Sequence, residues 1–248
     1  MRQQRMSFPQ PSQRVERPMD SSLPTGEPQY QHMAYSTSGG TGWQAGKMLL
    51  WAMFAIRPCA AGCGRPAISG SNICFVHQAN QEQERARIIA GIAENETVKD
   101  LCVSGMHFTG DDFSGRRFYG CNFREAIFSK CVFSGSLMRM CFFDFAEFTD
   151  CDFSQSDLQF LSFAGSRIID CCFEKSEMVH VNFLGASILG SSFSYSNMYN
   201  SRFISADLED IKFIDCDVKR AYFINTRQKE VDFKSSNTRE AVFELEEQ

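Results

Sequence analysis

Four residues between positions 59 and 77 carry the clearest chemistry in this chain: Cys59-x3-Cys63-x10-Cys74-x2-His77. Three thiolates and an imidazole are a preferred tetrahedral donor set for zinc. The paired short spacings let two ligands on each of two turns converge. Gly62, Gly64 and Pro66 supply turn-forming residues around the first pair. Four protein ligands close the coordination sphere and leave no position for a substrate, so the expected role of the zinc is structural. The plainer reading of the same residues is unligated thiols in a loop.

The remaining candidates are weaker. Cys121, Cys131, Cys141, Cys151 and Cys171 share one phase of a five-residue repeat. Pairs twenty apart, such as Cys131 and Cys151, would lie one above the other and invite a redox role. Cysteine also serves as a small apolar filler, and that reading is preferred. Cys172, His107 and His180 are expected to face outward, the two histidines as solvated surface residues without a Cys, Ser or carboxylate partner. No glycine-rich phosphate loop or hydrolase motif appears. The repeat runs without insertions, so no long loop can build an active site, and an enzyme is not expected. The spacing of the 59–77 cluster resembles small Cys-Cys-Cys-His zinc knuckles, though not the RNA-binding tandem type.

These residues need elements to position them, and composition narrows the choice. The 248 residues include 24 Phe against 2 Trp and 6 Tyr, with 11 Cys. No export signal is evident, so the cysteines read as reduced thiols or metal ligands in the cytoplasm. The longest apolar run, residues 48–56 (MLLWAMFAI), is nine residues. A membrane span needs about 20, so a buried or amphipathic segment is expected. Residues 104–248 hold 15 basic and 22 acidic side chains. That balance argues against direct nucleic-acid binding through phosphate neutralisation.

Four zones follow. Residues 1–47, rich in Gln, Ser, Pro and Gly, are expected to be disordered, and Met33 or Met48 offers an alternative start. Residues 48–77 join the apolar run to the zinc cluster. Residues 78–100 hold a helix, with Ala86, Ile89, Ala90 and Ala93 at helical spacing. Residues 101–248 form the repeat.

Stepping by five from Phe108 to Phe243 visits 28 positions, of which 18 are Phe and eight more are Met, Leu, Ile or Val. Gln228 and Thr238 alone break the rule. Two residues before each centre the side chain is usually small: Ala126, Ser136, Ser156, Ser176, Ala186, Ser196 and the cysteines above. Neither a 3.6-residue helix nor an alternating strand keeps such a period on one face. A coil that turns a corner every five residues does, with one large and one small side chain inward and three outward.

Stretches such as CNFRE, AIFSK, CDFSQ, ADLED and CDVKR resemble the pentapeptide-repeat family over roughly 140 residues. The resemblance implies an all-β fold, a right-handed quadrilateral β-helix with 20 residues per coil. About seven coils at ~4.8 Å per stacked strand would make a rod about 34 Å long. Phe113 to Phe233 and Phe123 to Phe243, each in steps of twenty, would then form two unbroken columns on opposite sides. A solenoid needs capped ends. The helix is the expected N-terminal cap, and a polar finish without a terminal helix is expected at the other end.

On the wall of Phe123 and Phe143, residues Leu184, Ile204 and Ile224 are expected to make an exposed aliphatic stripe, extended by Phe142, Phe145, Tyr222, Val242 and Leu245. Such patches mark contact surfaces. The expected occupant is a protein partner, a second copy of the chain, or its own segment 48–56. The functional expectation is a non-enzymatic interaction scaffold with a structural zinc. An alternative, implied by the resemblance, is a DNA-mimicking modulator of a type II topoisomerase such as gyrase. The acidic charge here is interspersed with basic residues, and the C-terminal dimerisation helix of those proteins is missing.

Overall fold

A computed structural model of the protein describes residues 56–244. Most of the segment 48–56 and Leu245 therefore lie outside the described residues, as does the zone 1–47.

The chain from Thr97 onward is a parallel β-solenoid of about seven turns. Its strands are three to six residues long: β1 (Thr97–Lys99), β2 (His107–Thr109), β3 (Arg117–Tyr119), β4 (Ile127–Ser129), β5 (Leu137–Arg139), β6 (Glu147–Thr149), β7 (Asp157–Gln159), β8 (Arg167–Ile169), β9 (Ser187–Leu189), β10 (Asp207–Lys212) and β11 (Arg227–Asp232). One wall is the sheet β1-β3-β5-β7 and the facing wall is β11-β10-β9-β8-β6-β4-β2. All these pairings are parallel, with partners twenty residues apart, as Phe108 beside Phe128 and Phe128 beside Phe148. The other two walls are made of single parallel bridges at the same interval, such as Cys102–Asn122–Phe142–Ser162 and Asp112–Val132–Asp152–Cys172.

The corners explain why the period is five. Every fifth residue from Asp100 to Ser235 has a positive φ, between 51° and 71°. Glycine reaches this conformation freely, and Asn and Asp tolerate it. Here Phe145, Phe160 and Tyr195 also adopt it, although bulky residues rarely do. The hydrogen bonds between coils hold them there. Phe142 donates its N–H to the carbonyl of Cys121 (2.9 Å) and accepts at its own carbonyl from Phe123 (2.8 Å), so one residue ties its coil to the preceding one at two points.

The centres of the repeat form the core. Phe113, Phe133, Phe153, Phe173, Phe193, Phe213 and Phe233 stack with centroids 4.5–5.1 Å apart. Phe123 through Phe243 stack opposite at 4.7–5.2 Å. The two columns meet edge to face, as Phe163 does with Phe173. Burial of one such side chain contributes ~1.5–3 kcal/mol, and each ring pair adds ~0.5–1.5 kcal/mol.

The small inward positions also work as a polar ladder. Ser156, Ser176 and Ser196 donate their hydroxyls to the carbonyls of Phe133, Phe153 and Phe173 (2.7–2.8 Å). Ser176 and Ser196 then accept the N–H of the serine one coil before (3.2 and 3.0 Å). Among the described residues no buried side-chain nitrogen or oxygen lacks a partner.

Helix α1 (Gln81–Glu94) precedes the solenoid, and its N-cap Asn80 accepts the N–H of Gln83 (3.0 Å). Ile88 and Ile92 are its buried residues and join the solenoid core with Ile68, Phe75, Val98 and Val103. The buried face differs from the one expected: Ala86, Ala90 and Ala93 are exposed, and Ile89 is only partly covered. Closing the end of a Phe-lined core takes bulky side chains, and Ile88 and Ile92 stand one turn apart on one face. Arg85 on the same helix donates to the carbonyl of His107 (2.9 Å) and pairs with Asp111 (2.6 Å), satisfying groups at the first coil's open edge. At the far end the last described turn is a 3-10 helix, Thr238–Glu240, and Val242 still bridges to Tyr222. Among the described residues no helix is long and apolar enough to cross a membrane.

Candidate metal centre and outer wall

The cluster from Cys59 to His77 is assembled by two turns. Pro58 and Pro66 face each other in an antiparallel bridge, and Cys59 donates its N–H to the carbonyl of Arg65 (2.9 Å). Gly62 sits in the hairpin bend between them at φ +74°, a conformation that favours glycine. This presents Cys59 and Cys63. Cys74 and His77 come from the short 3-10 helix Phe75–His77 and its preceding residue, with the His77 N–H on the carbonyl of Cys74 (3.1 Å).

The four side chains converge. Cys59 Sγ lies 3.4 Å from His77 Nδ1, Cys74 Sγ lies 3.5 Å from the same nitrogen, and Cys63 Sγ lies 3.6 Å from Cys74 Sγ. All four donor atoms fall within 4.8 Å of one another. Zn–S bonds of ~2.3 Å and Zn–N bonds of ~2.0 Å in a tetrahedron place neighbouring donors about 3.5–3.8 Å apart. The arrangement fits a tetrahedral ion.

Electrostatics act in the same direction at one ligand. Burial opposes ionisation of Cys59, but the backbone N–H of Cys74, the His77 ring and the N–H of Ala61 outweigh it and bring the thiol down to about 6. Cys74 goes the other way: burial and the neighbouring thiols raise it. Cys59 and Cys74 are buried, while Cys63 and His77 face solvent.

This module is joined to the solenoid edge. Ser69 donates its N–H to the carbonyl of Cys102 (2.9 Å), and its hydroxyl accepts the N–H of Cys102 (2.8 Å). The bridge series from Cys102 to Asn122 and Phe142 thus continues one step into the module. Between module and wall lies a cavity of about 360 Å³, lined by Ile56, Ala67, Ile68, Leu101, Asn122 and Phe142 among others.

The repeat cysteines point inward. Cys121, Cys131, Cys141, Cys151 and Cys171 are buried and free, and so is Cys216. Cys172 is half-buried on the outer side, where burial raises its thiol. His107 is exposed and lies 6.1 Å from the Phe75 ring. His180 has partners the sequence reading did not name. Its ring stacks on Phe160 at 5.0 Å and its Nδ1 meets Asn200 Nδ2 at 2.6 Å. Phe160, His180 and Asn200 occupy the same corner in successive coils, so the twenty-residue interval was the signal.

The expected aliphatic stripe is interrupted. Leu184 is 46% exposed, Ile204 is half-buried and Ile224 is only 8% exposed. The position after each centre lies in the bend and can be covered there, as Asp144 and Ser194, buried at the same phase, also show. Phe145, 67% exposed, is the most open aromatic of this wall. Phe142, Tyr222 and Val242 are half-buried, and Arg124 lies over the Phe142 ring (4.8 Å) while bonding Asp144 one coil on (2.8 Å).

The profile of the pentapeptide-repeat family matches residues 107–144, 117–155 and 146–185, in eight copies. The stretch 107–185 is made of pentapeptide repeats. Solved structures that resemble this chain include a plasmid-mediated fluoroquinolone resistance protein, QnrB1, at 22% identity, covering 59% of this chain and 77% of that one with a TM-score of 0.42. HetL, involved in heterocyst differentiation regulation in the cyanobacterium Nostoc, aligns at 12% identity over 67% of this chain and 98% of its own, TM-score 0.28. A pentapeptide-repeat protein of the Arabidopsis thaliana thylakoid lumen aligns at 23% identity over 42% and 68%, TM-score 0.33. No curated protein matches the sequence.

Proposed function

We propose that this pentapeptide-repeat chain is a non-catalytic protein-interaction scaffold whose N-terminal module holds a structural zinc ion. Cys59, Cys63, Cys74 and His77 are the ligands of that zinc. The observation that carries the interaction role is the outer wall where Phe145 and Leu184 stand open to solvent on a rigid, hydrogen-bonded frame. Ordered apolar side chains on such a frame lose little entropy when a partner covers them. A zinc ion would cross-link the hairpin to the 3-10 turn and so stiffen the module that hydrogen-bonds the first coil at Cys102.

Topoisomerase mimicry is less well supported, because several acidic side chains along the rod are paired with basic ones a coil away and basic residues are interspersed among the rest. Asp207 pairs with Arg227, Glu209 with Lys229, Asp144 with Arg124 and Asp157 with Arg139. A polyanion mimic needs these charges unpaired.

Phe145→Asp combined with Leu184→Asp tests the scaffold role. Light scattering and affinity capture from native lysate are the readouts. Loss of a self-association or of a specific captured protein, with the circular dichroism unchanged, is the expected result. Identical behaviour of variant and parent would remove the wall from consideration.

A further inference from the structure

We infer that the cavity between the zinc-ligand module and the first coils is the docking site of the chain's own segment 48–55. The inference extends the scaffold reading by assigning an internal occupant to a groove whose apolar lining, Ile56, Ala67, Ile68, Leu101 and Phe142, is interspersed with polar residues such as Ser69 and Asn122. The cavity's near rim is Ile56, 54% exposed, followed by Ala67 and Ile68 of the module. Leu101 and Cys102 line it from the first coil, and Asn122, Arg124 and Phe142 from the next two.

The eight residues that enter at Ile56 are MLLWAMFA, without a single polar side chain. They are joined to the rim with no linker. At ~3.3 Å per extended residue the segment reaches at most about 26 Å, so every part of it stays near this groove. Such tethering gives an effective concentration in the millimolar range or above. No external peptide competes easily with that. The volume, about 360 Å³, lies at the low end of the ~300–1,000 Å³ of small-molecule sites. It takes one or two large side chains, and Trp51 and Phe54 are the aromatic ones in the segment. Left in water, eight consecutive apolar residues would form an association-prone patch. In the groove they cover Leu101 and Phe142 and brace the module against the wall.

Trp43 and Trp51 are the two tryptophans of the chain, so Trp43→Phe in the full-length protein makes emission report on position 51 alone. Docking gives blue-shifted emission shielded from acrylamide, and Phe142→Glu moves it to the red with the circular dichroism unchanged. As a second measurement, benzoylphenylalanine at position 51 is photolysed and its crosslinks mapped. Crosslinks within one chain to residues 67–71, 100–102, 120–124 or to Phe142 support the inference. Emission of a solvated indole, crosslinks between two copies, or crosslinks elsewhere on the chain overturn it. None of these outcomes depends on Phe145 or Leu184, so the scaffold reading stands or falls separately.

Discussion

The ring of Phe145 lies across the corner of the next coil at Gly165, where an added Cβ would come within 2.6 Å of the ring's Cε1 atom. Gly165 has φ +64°. Its missing side chain is what lets Phe145 lie flat on the outer wall.

Gly165→Ala should therefore cost twice, through backbone strain of ~1–2 kcal/mol and through displacement of the ring. At ~2–4 °C per kcal/mol for a domain of this size, a Tm loss of about 2–8 °C is expected from the strain alone. In the background of Phe145→Ala the same substitution should cost only that strain. Equal losses in both backgrounds, measured by thermal melts, would separate Phe145 from Gly165.

Phe153 sits between Phe133 at 4.5 Å and Phe173 at 4.8 Å. Phe153→Ala should cost ~3–5 kcal/mol, the range for emptying a buried aromatic site. Phe233, half-buried near the end of its column, should cost clearly less. A solenoid in which each coil depends on its neighbours loses more from an internal break than from a terminal one. Urea titrations of the two variants check the ordering.

The column cysteines predict an alkaline weakness. In Cys121 the side-chain hydrogen bond with the Cys141 thiol and then burial raise the thiol, and in Cys131 the hydrogen bond with the Cys151 thiol and then burial do so. In Cys151 the contact with Cys131 lowers it, but Cys171 and burial prevail and push it up to about 12. An unfolded thiol titrates near ~8.5. A folded pKa above the unfolded one contributes stability that is complete below the unfolded value and is lost as pH rises toward the folded value. Stability should thus decline from about pH 8.5 upward, and Cys131→Ala with Cys151→Ala should flatten that limb. The same thiols should resist labelling until the chain unfolds.

For the metal centre, one zinc per chain is expected in metal analysis, and cobalt substitution should give thiolate charge-transfer absorption. Cys63 is exposed, so Cys63→Ser changes little packing while removing a ligand. Chelation should lower the Tm of the parent and leave that of the variant unchanged, because binding free energy to a folded site is folding free energy. Equal sensitivity of both proteins to chelator would refute the ligand assignment.

Much of this architecture was readable because the inward residues obey a strict rule. The large and small inward positions follow from the interval of five, and the Phe columns and wall assignments from the twenty-residue coil that the pentapeptide-repeat resemblance implies. The corners were not read, although Gly105, Gly110, Gly115, Gly120, Gly135, Gly165, Gly185 and Gly190 all share the corner phase. The other corners are filled by residues as unlike as Lys130, Phe145 and Asp170, which hides the pattern. The helix was legible but its buried face was not, since alanines at helical spacing imitate a packing stripe that Ile88 and Ile92 provide. Ile224 looked exposed because counting gives direction along the coil but not crowding in the bend. The metal cluster was visible from donor types and spacing, whereas its attachment through Ser69 to Cys102 joins residues 33 positions apart and leaves no local trace.

The coil-to-coil register has a consequence for how such a chain can change length. Duplicating or deleting twenty residues returns every later side chain to its own wall and only lengthens or shortens the stack. Adding or removing five rotates all that follows by a quarter turn: removing five just after Phe173 sets Met198 and Val218 over the column of Phe153 and Phe173, and adding five there sets Ile188 and Leu208 over it. Growth by whole turns is nearly silent, and a one-repeat slip anywhere must be answered by a redesign of everything downstream.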